Sequence, residues 1–97
     1  MPTYLVEVYL PRTRAEEAGV AGSRIQAAAD QLSLEGVPVQ YLRTTFLPDD
    51  ETCFHLIEAP TPAAAEEVSR RAALGSARIV AAIEPLRAPR HRRSPER

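Results

Sequence analysis

VPVQYLRTTFLPDDETCFHLIE, residues 37 to 58, is the stretch that decides the fold of this 97-residue chain. Two runs rich in β-branched and aromatic residues, 37–47 and 52–58, flank the polar turn 48–51. Runs of this composition, bounded by Pro and Asp, are typical of strands, and a short turn joins such strands as an antiparallel hairpin. We therefore predict two consecutive antiparallel strands here.

On the N-terminal side of the hairpin, the sequence predicts a strand followed by a helix. The strand is residues 4–10, which end at a proline, and Thr13 to Glu16 form a capping-box pattern at a helix start. Apolar residues then recur at spacings of three and four until Gly36. Gly19 and Gly22 weaken the first half of this helix, which we expect to be broken or to begin only near residue 23. The apolar stripe is Ala18, Ala21, Ile25, Ala28 and Leu32.

On the C-terminal side, the same order of elements recurs in reverse. Thr61 is placed to cap a second helix with Pro62 in its first turn, and that helix stops by Gly75. Residues 78–86 then form a last strand. The resulting order, βαββαβ, is that of a ferredoxin-like α+β sandwich, in which both helices cover one face of a four-stranded antiparallel sheet. We predict one such domain over residues 1–86.

Composition narrows the class of protein. The length suits one domain, and the single cysteine, Cys53, excludes an internal disulfide and a multi-cysteine zinc site. No apolar run approaches the ~18 residues of a membrane span, and no signal-peptide pattern is present. Phosphate-binding glycine loops, nucleophile elbows and HExxH motifs are also missing. We expect a cytoplasmic protein that does not contact a membrane.

The C-terminal residues 87–97 differ from the rest of the chain. They carry five arginines and one glutamate among prolines and a serine, whereas the other residues are net acidic. Such a segment cannot bury enough apolar surface to order itself, so we predict a disordered basic tail. No aromatic residues accompany the arginines for base stacking, and we do not predict nucleic-acid binding.

Alternation along the strands predicts the two faces of the sheet. We assign Val6, Val8, Phe54 and Leu56 to the face under the helices. The helix-free face is half apolar and half ionisable, which predicts that a second copy of the chain covers it in a homodimer, an α+β barrel. The members we assign to that face are Leu5, Glu7, Tyr9, Tyr41, Arg43, Cys53, His55, Ile57, Ala82 and Glu84.

The candidate site follows from this assignment. In a βαββαβ sheet the first and third strands are the central pair, so Glu7 and His55 are expected to be neighbours inside the dimer. A carboxylate beside an imidazole favours its charged form and sets its tautomer. Cys53 shares a strand face with His55, and Glu84 could add an oxygen ligand to a metal ion. Tyr9, Tyr41 and Arg43 complete the predicted metal or ligand site.

Several short motifs resemble a family of small bacterial domains of unknown function that includes a nickel-binding, ferredoxin-like actinobacterial protein. The resemblance covers residues 1–86 and implies a dimeric α+β barrel with nickel as a cofactor. In that family a histidine is frequent just before the paired arginines of the second helix, whereas Glu67 to Ser69 contain none here. The matching motifs are Met1-Pro2-x-Tyr4 with Glu7, Leu10-Pro11, Pro48-Asp49-Asp50, the block Cys53 to Pro60, Arg70-Arg71 and Ala77-Arg78-Ile79.

Two functions remain open at this point. The first is a dimeric protein that binds a metal ion, nickel by resemblance, or a small ligand between its two sheets. The second is a cofactorless enzyme of the cyclase, isomerase or monooxygenase type, in which His55 and Glu7 act as acid and base. This second function depends on fold analogy alone.

Overall fold

The computed structural model describes residues 1–83 and has the predicted ferredoxin-like architecture. Its strands pair in the order β2-β3-β1-β4, every neighbouring pair is antiparallel, and the helices pack on one face of the sheet. No helix in these 83 residues is long and apolar enough to cross a membrane. In chain order the elements are β1 (Thr3–Tyr9), a 3₁₀ turn (Arg12–Arg14), α1 (Glu17–Leu34), β2 (Gln40–Leu47), β3 (Thr52–Glu58), α2 (Pro62–Arg71) and β4 (Ala77–Ala82).

Helix α1 differs from its prediction at its start. The capping box is wrong: residues 12–14 form the 3₁₀ turn, and Glu16 precedes the helix without a side-chain cap. The helix is nevertheless unbroken from Glu17 to Leu34 despite both glycines, because its apolar stripe packs on the sheet. Its Ile25, Ala28 and Leu32 are buried as predicted.

Helix α2 begins as predicted. Thr61 Oγ1 accepts a hydrogen bond from the Ala64 N–H at 3.1 Å, and Pro62 occupies the first turn. Its Ala65 and Val68, and Ala72 at its C-cap, are all buried.

Strand β2 contains a bulge that changes which of its side chains share a face. Tyr41 pairs with Ile57 and Arg43 pairs with Leu56, so Leu42 is an extra residue with no partner of its own. Because of this insertion, Tyr41 and Thr44 lie on the same face although they are three positions apart. Arg43 lies on the opposite face.

The predicted face of β3 is wrong. The register sets Val6 opposite His55 and Glu7 opposite Phe54, and directly opposed residues of antiparallel strands share a face. Cys53, His55 and Ile57 are therefore under the helices, where all three are buried. The assignment failed because it ranked the faces by apolar content, and a histidine with hydrogen-bond partners can replace an apolar residue in a core.

The helix-free face consequently has a different set of apolar residues from the one predicted. Leu5, Glu7, Tyr9, Arg43 and Ala82 lie on it as expected, and the register adds Phe54, Leu56 and Val80.

The two helices are also joined by ion pairs. Arg71 contacts both carboxylate oxygens of Glu35, just after α1, at 2.9 Å, and its Nε lies 2.7 Å from Glu67. Arg70 is therefore an exposed helix residue, whereas Arg71 is partly buried between the helices.

Three predictions fall outside the described residues. They concern Glu84 as a ligand, the basic tail 87–97, and the end of the last strand beyond residue 83.

Candidate functional site

His55 is fully buried and hydrogen-bonded through a chain of hydroxyl groups. Its Nδ1 lies 2.7 Å from Thr44 Oγ1, which in turn lies 2.5 Å from the Tyr41 hydroxyl. Thr44 is the direct cross-strand partner of His55, and the β2 bulge brings Tyr41 to the same face. The site thus depends on one irregularity in the sheet.

Gly22 gives Tyr41 the space it needs under α1. A Cβ atom on Gly22 would lie 2.7 Å from the Tyr41 hydroxyl and 3.0 Å from Thr44 Oγ1. Side chains larger than hydrogen are therefore excluded at this helix position unless the chain of hydroxyl groups moves. Gly22 is in the helix for packing, whereas a Cβ atom added at Gly19 would meet nothing within 4 Å.

The second ring nitrogen of His55 has a weaker partner. Its Nε2 lies 3.6 Å from the sulfur of Cys53, and a thiol is a poor hydrogen-bonding group. Burial lowers the pKa of His55 and raises the pKa of the Cys53 thiol. Both shifts favour neutral groups, so the pair is an imidazole beside a thiol rather than an imidazolium–thiolate pair.

Neutral His55 can serve as either a donor or an acceptor at Nε2. If Tyr41 donates to Thr44 and Thr44 donates to Nδ1, the proton of the ring is on Nε2. If instead Nδ1–H donates to Thr44, both hydroxyl groups reverse and Nε2 becomes an acceptor. The hydroxyl chain satisfies the histidine in both tautomers.

A cavity of about 320 Å³ lies beside this pair, with Cys53 and His55 in its lining. It is bounded by the first half of α1, the end of β1 and the segment that follows α2. The buried Cys53 and His55 are at its inner end, and exposed residues of α1 are at its mouth. The rest of the lining is Val8, Tyr9, Leu10, Pro11, Arg14, Glu17, Val20, Ala21, Arg24, Ala73 and Leu74.

The charged lining residues all lie near the start of α1. Arg14 binds Glu17 through two hydrogen bonds of 2.7 Å each. This contact lowers the pKa of Glu17 and raises that of Arg14, so both stay charged and offset each other. Arg24 also lines the cavity and is in none of the ion pairs of residues 1–83, so it leaves the mouth with a net positive charge.

The predicted site residues are divided between the two faces of the sheet. Cys53, His55 and Tyr41 come together under the helices, while Glu7 and Arg43 lie on the helix-free face. Glu7 is 3.5 Å from Arg78 there, so the predicted Glu7–His55 pair is wrong. Tyr9 is 68% exposed and borders the cavity mouth.

Sequence reasoning missed four residues of this site: Thr44, Gly22, Arg14 and Arg24. Thr44 could have been found from its place opposite His55 in the hairpin, had the bulge been foreseen. Gly22 had a signal, since a glycine in a helical stripe indicates a close approach. Two arginines near a helix start carry no comparable signal.

Metal ligands do not assemble in the part of the chain that the structure describes. Between residues 1 and 83, no group of three His, Cys, Asp or Glu side chains could hold an ion. Cys53 and His55 are two donors, and a nickel site needs several. These residues do not fit a nickel site.

Searches against protein-family models, characterised proteins and solved structures give no significant match. The resemblance to the family with a nickel-binding member therefore stays a prediction, and the chemistry of the site is argued from its own residues.

Proposed function

We propose that this protein binds a small organic ligand in the cavity beside His55, with the imidazole as its hydrogen-bonding anchor. One observation carries the proposal: a buried histidine, held at Nδ1 by Thr44 and Tyr41 and only weakly partnered at Nε2 by Cys53, belongs with that cysteine to the lining of a cavity. A ligand could replace the thiol as the partner of Nε2. It could do so with a hydroxyl or a carbonyl group, because the ring can present either tautomer.

A purely structural role explains this arrangement less well. Burying polar groups costs free energy unless each one is paired, and an apolar core of the same shape avoids that cost. Here Thr44, His55 and the Tyr41 hydroxyl replace such a core, and a glycine is placed in α1 to make room for them. His55 thus has a strong hydrogen-bond partner at Nδ1, which is Thr44, and a weak one at Nε2, which is Cys53 of the cavity lining.

The cavity favours an organic ligand over a metal ion. About 320 Å³ is at the lower end of the range for small-molecule sites, which are commonly apolar with a few polar groups. This lining combines aliphatic side chains with the neutral Cys53 and His55 and with the charged Arg14, Glu17 and Arg24. The ligand is therefore about the size of a single substituted ring.

We also propose that the protein is a homodimer through the helix-free face. Its centre is apolar, and it is bordered by charges of both signs, Glu7 and Glu58 with Arg43 and Arg78. A two-fold axis sets such a face against itself, so the acids of one copy can lie against the arginines of the other. The apolar centre is Leu5, Phe54, Leu56, Val80 and Ala82.

The ligand site can be tested with ring-sized probes of different charge: phenylacetate, phenylacetamide and phenethylamine. We expect at least one of them to shift the ring nitrogen signals of His55 in NMR spectra, with saturation at millimolar concentration or below. Ala21→Leu, which fills the cavity from α1, should abolish the shift. Ala27→Leu, on the exposed side of the same helix, is the matched control and should retain it.

The proposal fails if none of the three probes perturbs His55. It also fails if Ala21→Leu binds as well as the unmodified protein, because the probe would then lie elsewhere.

A further inference from the structure

We infer that the ligand of this cavity is a small organic acid whose carboxylate binds Arg24 at the mouth while its apolar body lies in the cavity. The inference rests on the proposed function and adds the chemical class of the ligand. It comes from three features of the lining: one arginine that is in no ion pair of residues 1–83, aliphatic walls and a neutral inner end.

The positive charge of the mouth belongs to Arg24. Arg14 is held by Glu17 in a bidentate pair, which uses the geometry that a guanidinium would otherwise offer to a ligand carboxylate. Among the ion pairs of residues 1–83, none includes Arg24. Arg24 lies two turns into α1, on the rim of the cavity, where a ligand can reach the N–H donors of its guanidinium group.

The walls between that arginine and His55 are aliphatic. Val20 is half exposed on α1 beside the mouth, although such a position is usually polar on a helix surface. An apolar ligand body would cover it. The aliphatic residues of the lining are Val8, Leu10, Val20, Ala21 and Leu74.

The inner end of the cavity requires the charged group of the ligand to stay outside. Cys53 and His55 are both neutral, and each is buried, so neither can compensate a carboxylate there. A neutral group at that end can bond to His55 Nε2 without such compensation. The arrangement thus orients an amphipathic acid in one direction, with its charge toward solvent.

A single arginine without an ion pair among residues 1–83 also selects for the charge of the ligand. One guanidinium matches one carboxylate in a planar, bidentate contact. A phosphate monoester carries up to two charges and three acceptor oxygens, and such groups are commonly bound by clusters of cations or backbone amides. This mouth offers one uncompensated cation, so a monocarboxylate fits it better.

The test compares probes that differ only in their polar group. Phenylacetate, phenylacetamide and phenethylamine share a skeleton, and their dissociation constants are measured by titration of the His55 ring signals. We expect phenylacetate to bind about five-fold more tightly than phenylacetamide, the size of one partly exposed ion pair, and phenethylamine to bind most weakly. Raised salt should reduce the preference for the acid.

Two arginine variants show where the preference comes from. Arg24→Gln should bring phenylacetate and phenylacetamide to equal affinity while leaving the affinity for the amide unchanged. Arg70→Gln, on the exposed side of α2 and outside the cavity lining, removes the same charge from the protein and should keep the five-fold difference.

The outcomes separate the two proposals. If the amide or the amine binds as tightly as the acid, or if the preference for the acid survives Arg24→Gln, the inference of an acidic ligand is overturned and the cavity remains a ligand site. If no probe perturbs His55, both the inference and the proposed function are overturned.

Discussion

His55 Nδ1 and Thr44 Oγ1 lie 2.7 Å apart, across the pair of strands on which these two residues are direct partners. Because Thr44 and His55 are opposite each other in one hairpin, the pairing of β2 with β3 fixes the positions of both side chains. Thr44 is therefore the residue on which the orientation of the imidazole depends.

We expect Thr44→Val to destabilise the protein. Valine keeps the shape and the β-propensity of threonine but leaves Nδ1 of a fully buried imidazole without its strong partner. The free energy of unfolding should fall by about 1–3 kcal/mol in urea titrations. Thr45→Val, one residue further along on the helix-free face, is the matched control and should change it by less than about 0.5 kcal/mol. Equal effects would show that the hydroxyl of Thr44 has no special role.

Stability should also depend on the charge of His55 in mildly acidic solution. Burial lowers the pKa of His55 from its usual value of 6.5, so near that pH the unfolded chain binds a proton that the folded protein does not. The stability from neutral His55 is thus complete above pH 6.5 and is lost as pH falls toward the lowered pKa. Cys53, which faces the ring, stays protonated throughout this range because its pKa is raised.

This pH dependence is best measured in a variant that has His55 as its single histidine, because a second histidine would titrate in the same range. The sequence has two, so a His91→Gln background isolates His55. Urea midpoints between pH 5 and pH 8 should rise with pH in that background, and His55→Phe should remove the slope between pH 5.5 and pH 6.5. A slope that persists in His55→Phe would assign it to the carboxylates instead.

The two glycines of α1 should respond in opposite ways to alanine. Alanine stabilises a helix interior by up to about 1 kcal/mol over glycine, and Gly19→Ala, with nothing within 4 Å of the new atom, should show that gain. Gly22→Ala should instead lower the free energy of unfolding by about 1–3 kcal/mol, since its Cβ meets the Tyr41 hydroxyl at 2.7 Å. Circular dichroism during urea unfolding measures both. A gain in Gly22→Ala would show that the hydroxyl chain moves without cost.

Dimerisation through the helix-free face can be broken by one charge at its centre. Leu5 lies between Leu56 and Val80, so Leu5→Glu should give a monomer by sedimentation or native mass spectrometry at micromolar concentration. Leu34→Glu adds the same charge at a leucine that is 89% exposed at the end of α1, and should stay dimeric. A monomeric unmodified protein, or a dimeric Leu5→Glu, contradicts the proposed interface.

Arg71 and Arg70 offer a matched test of the connection between the helices. Arg71 joins Glu35 to Glu67, whereas Arg70 contacts Glu67 within its own helix. Arg71→Gln should lower the urea midpoint more than Arg70→Gln at neutral pH. The Arg70 and Arg71 contacts lower the pKa of Glu67 to about 2, so stability from these pairs is present above about pH 4.5 and is lost as pH falls toward 2. Equal midpoints for both variants would leave the bridge to Glu35 without effect.

The fold could be predicted from the sequence because its signals are local. Two strand runs with a turn, Thr61 and Pro62 at a helix start, and glycines near the helix ends each act within a few residues. Gly36, with positive φ, follows α1 as expected. Helix α2 ends earlier than its glycine indicates, at Arg71, and Ala73 is the positive-φ residue that follows its C-cap. These features alone determine the order βαββαβ, from which the sheet order follows.

The site could be predicted only in part, because it depends on a register. Cys53, His55 and Tyr41 were predicted as site residues, and the structure brings them together. Glu7 and Arg43 were wrongly grouped with them. Regular alternation keeps Tyr41 and Arg43 on one face, whereas the extra residue at Leu42 separates them. Nothing in the residues near Leu42 marks a bulge, and the apolar Phe54 and Leu56 made the wrong face of β3 the more attractive one to bury.

The bulge has a genetic consequence. Leu42 is the extra residue between Tyr41, opposite Ile57, and Arg43, opposite Leu56, so loss of its codon restores regular pairing without turning any other side chain of β2 to the other face. Deletion of a residue beyond the bulge, such as Thr45, would instead move Phe46 to the position opposite Phe54 and turn its side chain to the helix-free face. A library of single-codon deletions through β2 should therefore contain one tolerated position among several that are lethal to the fold.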